Sequence, residues 1–174
     1  MHRRWLIPFA AMLLLWSLVG QINHYLAPHG ISLFAGGLLV TFAALRLSLR
    51  PGLLATALAG LAVDALEPVT FGTHLILFAG LHVVLYHLRS RFPREETILA
   101  VVTALLANLA LFLAVSFVTL GGHPAANSAW IRLFCDLGCS QVFVTAVAPW
   151  FFALQGHALA FAGVDLGEES RHPF

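Results

Sequence analysis

Long apolar runs separated by short polar breaks dominate this chain. A helix rises about 1.5 Å per residue and the hydrocarbon core of a bilayer is about 30 Å thick, so a crossing helix needs roughly 17 to 25 apolar residues. Six runs approach that length: residues 5–21, 31–45, 52–66, 73–88, 97–120 and 131–154. The second and third are short and would thin the bilayer or recruit flanking residues such as Leu47 and Leu49. The pattern predicts an all-α polytopic membrane bundle of about six transmembrane helices over residues 1–154, followed by a polar cytoplasmic tail over 155–174 that holds Asp165, Glu168 and Glu169.

Composition agrees with that reading. Of 174 residues, 60% are hydrophobic and only 10% charged, and the mean hydropathy is +0.89. Soluble domains carry about 25% charged residues, so an ordinary soluble enzyme is excluded. With nine basic and eight acidic residues the net charge is +1, and no basic face exists for a phosphate backbone, so no nucleic-acid partner is expected.

All nine basic residues are arginine, and they alternate. Arg3 and Arg4 precede the first run, Arg46 and Arg50 separate the second and third, and Arg89, Arg91 and Arg94 separate the fourth and fifth; the intervening breaks have none. Because cytoplasmic loops are enriched in Lys and Arg, both termini are expected in the cytoplasm, with Arg132 as the exception to the bias. No small-x-small cleavage site follows the first run, which therefore reads as a retained helix.

Several polar residues interrupt the apolar runs. Gly52, Thr56, Gly60 and Asp64 recur every fourth position and stack on one helix face, where small residues let a neighbouring backbone approach. Ser32, Gly36, Val40 and Ala44 form a matching face, so the second and third helices are expected to form a tight hairpin. Asp64, Glu67, His74, Arg132 and Asp136 fall at one depth near the outer boundary. Two readings stand there: a binding or structural polar cluster, in which Arg132 pairs either with Asp136 four residues on or with Asp64, or side chains that merely snorkel to the headgroups. At mid-membrane, Asn108 and Gln141 lie at equal depth on sequential helices and are expected to hydrogen-bond as structural glue.

Metal and catalytic chemistry find little footing. The nine histidines include no H-E-x-x-H or H-x-x-x-H spacing, and Cys135 and Cys139, on one face beside Asp136, read as packing residues, so no metal and no cofactor is expected. Asp64 and Asp136 could form the dyad of an intramembrane aspartyl peptidase, but neither lies in the short motifs of such enzymes. Glu95, Glu96 and the Phe78 to His82 stretch are similar to membrane metalloproteases of prenylated tails, but in reversed order and without the arginine that follows the glutamate pair.

Residues 60–75, with Gly60, Asp64, Phe71 and Gly72 in place, resemble the signature hairpin of the MreD family, the membrane component of bacterial rod-shape determination. Glu67 and Pro68 in the turn depart from the small polar residues commoner there. The resemblance implies a non-enzymatic scaffold of the inner membrane that binds MreC and other elongation-complex proteins and helps organise peptidoglycan synthesis. It also implies a six-helix fold similar to the substrate-binding subunits of energy-coupling-factor vitamin transporters. Such a transporter subunit is the runner-up function, although its Ala-x-x-x-Ala pattern is missing from the first helix.

Overall fold

A computed structural model describes residues 5–67, 69–89, 97–120 and 127–162. Pro68, Arg3, Arg4, Arg91, Arg94, Glu95, Glu96 and the chain beyond 162 lie outside the described residues. The described chain is all-helical: α1 (Leu6–Leu26), α2 (Gly36–Arg46), α3 (Leu49–Asp64), α4 (Thr73–Leu88), α5 (Thr97–Leu120) and α6 (Asn127–Phe161), with one short 3-10 turn, Ala27–His29.

Three stretches, Leu6–His29, Ile98–Thr119 and Trp130–Phe161, are long and apolar enough to cross a membrane. At about 1.5 Å per residue each exceeds 30 Å. Their outward faces carry large apolar side chains such as Leu14, Leu106, Phe117, Val142 and Trp150, each at least half exposed. Such a surface suits lipid rather than water, and this is a membrane protein.

At the centre stands α2, in which every residue from Gly36 to Ala44 is buried. It packs along α5 and also touches α3, α4 and α6. A Cβ added to Gly37 would lie 2.4 Å from the Asn108 backbone nitrogen and 2.5 Å from the Ala104 carbonyl, so only glycine allows this approach to α5. The small-residue face of α3 turns mainly to α4 instead of completing a hairpin with α2. A Cβ on Gly60 would stand 2.7 Å from the His74 carbonyl, and one on Gly52 would stand 2.5 Å from the His82 ring. Thr56 is buried between them and returns its hydroxyl to Gly52 and Leu53 of its own helix.

Helix bounds match the hydropathy reading at α4 and α5 and differ elsewhere. In α3 the start moves back to Leu49, which leaves Pro51 in the first turn, where its missing N–H has no carbonyl to serve. In α6 the helix continues through Gln155 to Phe161, with Gln155 and Leu159 fully buried, so the first residues of the expected tail belong to the bundle. While α1 and α6 outrun their apolar stretches, to Leu26 and Phe161, α2 begins five residues later than its run.

Candidate functional site

Asp64 is the last residue of α3, where a carboxylate faces the negative end of its own helix dipole. Its surroundings reverse that handicap. Oδ2 accepts the backbone N–H groups of Gly72 and Leu75, both at 3.0 Å, and Oδ1 accepts the backbone N–H of His74 at 2.8 Å. These are the otherwise unpartnered donors at the start of α4, so Asp64 serves as that helix's cap from across the turn. The His74 ring adds a fourth contact, Nδ1 to Oδ1 at 2.9 Å, in which an ionised carboxylate requires the proton on Nδ1. Gly72 adopts φ +96°, the left-handed conformation that glycine reaches at least cost, and this aims its N–H back at Asp64.

A second polar assembly surrounds the non-helical segment 31–35 that leads into α2. Asn23 of α1 accepts the Leu33 N–H at 2.7 Å and donates to the Leu33 carbonyl at 2.9 Å. From α6, Asp136 accepts the Ser32 N–H at 2.8 Å and Ser140 accepts the Phe34 N–H at 3.0 Å. From α5, Asn108 accepts the Gly37 N–H at 3.0 Å and donates to the Phe34 carbonyl at 3.1 Å. Lipid offers no hydrogen bonds, so irregular backbone at membrane depth persists only where protein supplies them. Three long helices do so here.

Depth follows from Asn108, which sits at the middle of the 24-residue α5. Gly37, bonded to it, lies near mid-depth, and the nine residues from there to Arg46 rise about 14 Å, roughly half the hydrocarbon thickness. The five residues of 31–35 can reach at most about 17 Å. The non-helical half and the helical half together can reach about the length of one crossing.

Phe34 joins the two assemblies. Its ring lies 6.2 Å from Trp16 of α1, 6.1 Å from Phe112 of α5 and 6.4 Å from the His74 ring, measured between centroids. On its other side His74 meets Phe78 edge-on at 5.7 Å.

The five ionisable groups expected at one depth therefore separate. Asp64 and His74 are buried and bonded together. Arg132 reaches Asp136, Nε to Oδ2 at 3.9 Å, rather than Asp64, and its side chain is 63% exposed. Glu67 is exposed and its carboxylate makes no hydrogen bond among the described residues. Asn108 and Gln141 do not bond each other: Asn108 holds the start of α2, while Gln141 donates to the Leu105 carbonyl at 3.2 Å and leaves its Oε1 buried without a partner. Each amide finds a nearer backbone group than the other amide, which corrects the expected mid-membrane pair.

Sequence reasoning missed Asn23, Phe34 and Ser140. Asn23 and Ser140 stand in short polar stretches, beside His24 and Gln141, that could have marked them, whereas nothing local distinguishes Phe34 from its apolar neighbours. Ser140 also stands one turn after Asp136 and donates its hydroxyl to that residue's carbonyl at 2.6 Å.

Chemically the arrangement holds backbone in place. Four N–H contacts occupy Asp64, a separate N–H and a guanidinium occupy Asp136, and the two carboxylates face different segments, without the shared proton of an aspartyl dyad. No hydroxyl or thiol is bonded to His74, and no group of metal-ligating side chains forms, among the described residues. Cys135 and Cys139 are free thiols, the first exposed and the second half-buried. Compared with known proteins, the chain matches no family model, no curated protein and no solved structure, so it is this geometry that bears on function.

Proposed function

We propose that the chain is a non-enzymatic scaffold of the bacterial cell-shape complex, of the MreD kind, which sits in the inner membrane and receives the membrane helix of MreC. The observation that carries the reading is the corner between α3 and α4. Gly60 lets the start of α4 come close, Asp64 caps it, Gly72 supplies the turn, and Phe71 projects beside them with 71% of its surface exposed. Three of the four residues that carry the family resemblance, Gly60, Asp64 and Gly72, thus build one corner, and Phe71 is left on its surface. The Asp64 carboxylate is spent on backbone inside the protein, which suits a docking platform better than a site that must bind or transform a polar substrate.

In this reading the chain crosses six times, with 31–46 as a half-helical second crossing and both termini cytoplasmic. The fold would then be similar to the vitamin-binding subunits of energy-coupling-factor transporters, with the central cavity filled by α2 and its clamp. The test is copurification of the tagged protein from native membranes with mass spectrometry of bound proteins and small molecules. MreC is the expected partner. Recovery of a bound vitamin without any shape-complex protein would overturn the scaffold in favour of the transporter. A reporter fused after Phe174 checks orientation, and periplasmic activity there would contradict it.

A further inference from the structure

Between the Arg46 end of α2 and the C-terminal half of α6 lies a cavity of about 300 Å³, lined by Phe42, Leu45, Arg46, Pro149, Phe152 and His157 among others. A second lobe of about 460 Å³ continues from it past Trp150 and Leu154, sharing Pro149, Ala153 and His157. Both volumes fall in the range of about 300 to 1,000 Å³ typical of ligand pockets.

Polarity in this groove is ordered by depth. Arg46 closes α2 in the arginine-bearing connection to α3, and His157 on the other wall lies at a similar depth, because Phe42 and Phe152 face each other and Arg46 and His157 follow them by four and five residues on helices that run in the same direction. Pro149 lies two turns before His157, about 12 Å deeper towards the bilayer centre. Phe42, one turn before Arg46, meets Phe152 with ring centroids 6.2 Å apart and forms an apolar wall below the two basic side chains. The basic groups thus lie at headgroup level and the apolar walls at acyl-chain level.

Arg46 is exposed and has no partner among the described residues. The described carboxylates are remote from it: Asp64 and Glu67 lie at the far end of the 16-residue α3, and Asp136 is bonded to the outer end of the segment that enters α2. Basic pockets between membrane helices at headgroup depth recognise anionic lipids through this combination. A free phosphate would use only the basic end and leave the apolar lobes unexplained.

We propose that this groove holds one anionic phospholipid, its phosphate between Arg46 and His157 and an acyl chain along Phe42, Pro149 and Phe152. The inference goes beyond the scaffold function and does not depend on it. It requires only that the protein sits in a bilayer.

The experiment uses the full chain in nanodiscs containing phosphatidylglycerol and phosphatidylcholine in equal amounts with identical acyl chains, followed by native mass spectrometry of the lipids that stay bound. The wild type should retain phosphatidylglycerol over phosphatidylcholine by about fivefold or more, the expected effect of a basic side chain on an anionic headgroup. Arg46→Gln combined with His157→Gln should bring that ratio within about twofold of unity, and Arg46→Lys should keep the preference. Gly156, which also lines the cavity, has nothing within 4 Å of an added Cβ. Gly156→Leu therefore fills the cavity while leaving Arg46 and His157 in place, and it should lower retention of both lipids. Arg50→Gln removes the same charge outside the cavity and should leave the ratio within about twofold of wild type. Equal retention of the two lipids by the wild type overturns the proposal. So does a loss in Arg50→Gln as large as in the Arg46→Gln, His157→Gln protein, or unchanged retention in a Gly156→Leu protein whose helix content and melting match wild type.

Discussion

Replacing Asn108 by leucine tests whether the start of α2 is held by side chains from other helices. The residue is fully buried, and its side chain satisfies the Gly37 N–H at 3.0 Å and the Phe34 carbonyl at 3.1 Å. Leucine has the same branched shape and the same number of side-chain heavy atoms, so the change removes the hydrogen bonds, and its bulkier methyl groups can only add to the loss. A buried backbone group left without a partner costs about 1 to 3 kcal/mol, but measured side-chain hydrogen bonds inside membranes average about 0.6 and reach about 1.7. Taking about 1 kcal/mol for each of two groups, Asn108→Leu should lose about 2 kcal/mol. Gln141 is the internal control. It makes one bond of 3.2 Å to a carbonyl within α5 and keeps Oε1 buried without a partner, so Gln141→Leu removes a liability along with a contact. Its net cost should be under about 0.5 kcal/mol. Unfolding by increasing dodecyl sulfate in bicelles, followed by circular dichroism, measures both. A paired Asn108 and Gln141 would lose equal stability from either side. Equal losses, or a larger loss at Gln141, would refute the clamp.

Gly37→Ala and Gly60→Leu should each cost about 1 to 3 kcal/mol in the same assay, because the added atoms meet backbone that cannot rotate away, whereas the half-buried Leu61→Ala should be milder. Asp64→Leu orphans three backbone N–H groups and should lose about 3 kcal/mol or more together with any rescue of rod shape, whereas Asp64→Asn, which can still accept, should keep part of both. Full shape rescue by Asp64→Leu at matched membrane levels would remove the corner from the functional reading. Arg132→Gln should cost less than about 1 kcal/mol, since its pair with Asp136 is 3.9 Å long and mostly exposed. The exchange of Asp64→Arg with Arg132→Asp should fail to restore Asp64→Arg, because the two residues serve different partners; restoration of wild-type melting would show otherwise.

How far the sequence reaches depends on whether the deciding forces are local. The length of an apolar run against the thickness of a bilayer is a property of consecutive residues, and it places α4 and α5 at their observed bounds and makes the chain a membrane protein. The corner was legible only in part: Gly60, Asp64 and Gly72 stood out within thirteen positions, but that Asp64 caps α4 and that Gly72 turns at positive φ emerged from the fold, because an aspartate at a helix end can equally well pair with an arginine or reach the headgroups. The start of α2 was not legible. Residues 31–35 are as apolar as a helix, so hydropathy runs straight through them, and the hydrogen bonds that hold them unwound come partly from Asn23, ten positions away, and mostly from Asn108, Asp136 and Ser140, 71 to 106 positions away in sequence. The choice of partner escaped in the same way. A stripe of small residues on α3 shows that some backbone comes close but not whose: α2 offered the smaller side chains, yet it is α4, with His74, Phe78, His82 and Leu85 buried, that packs along it. Only the packing of all six helices decides that α4 takes it, and that each buried amide bonds a neighbouring backbone before it can reach the other.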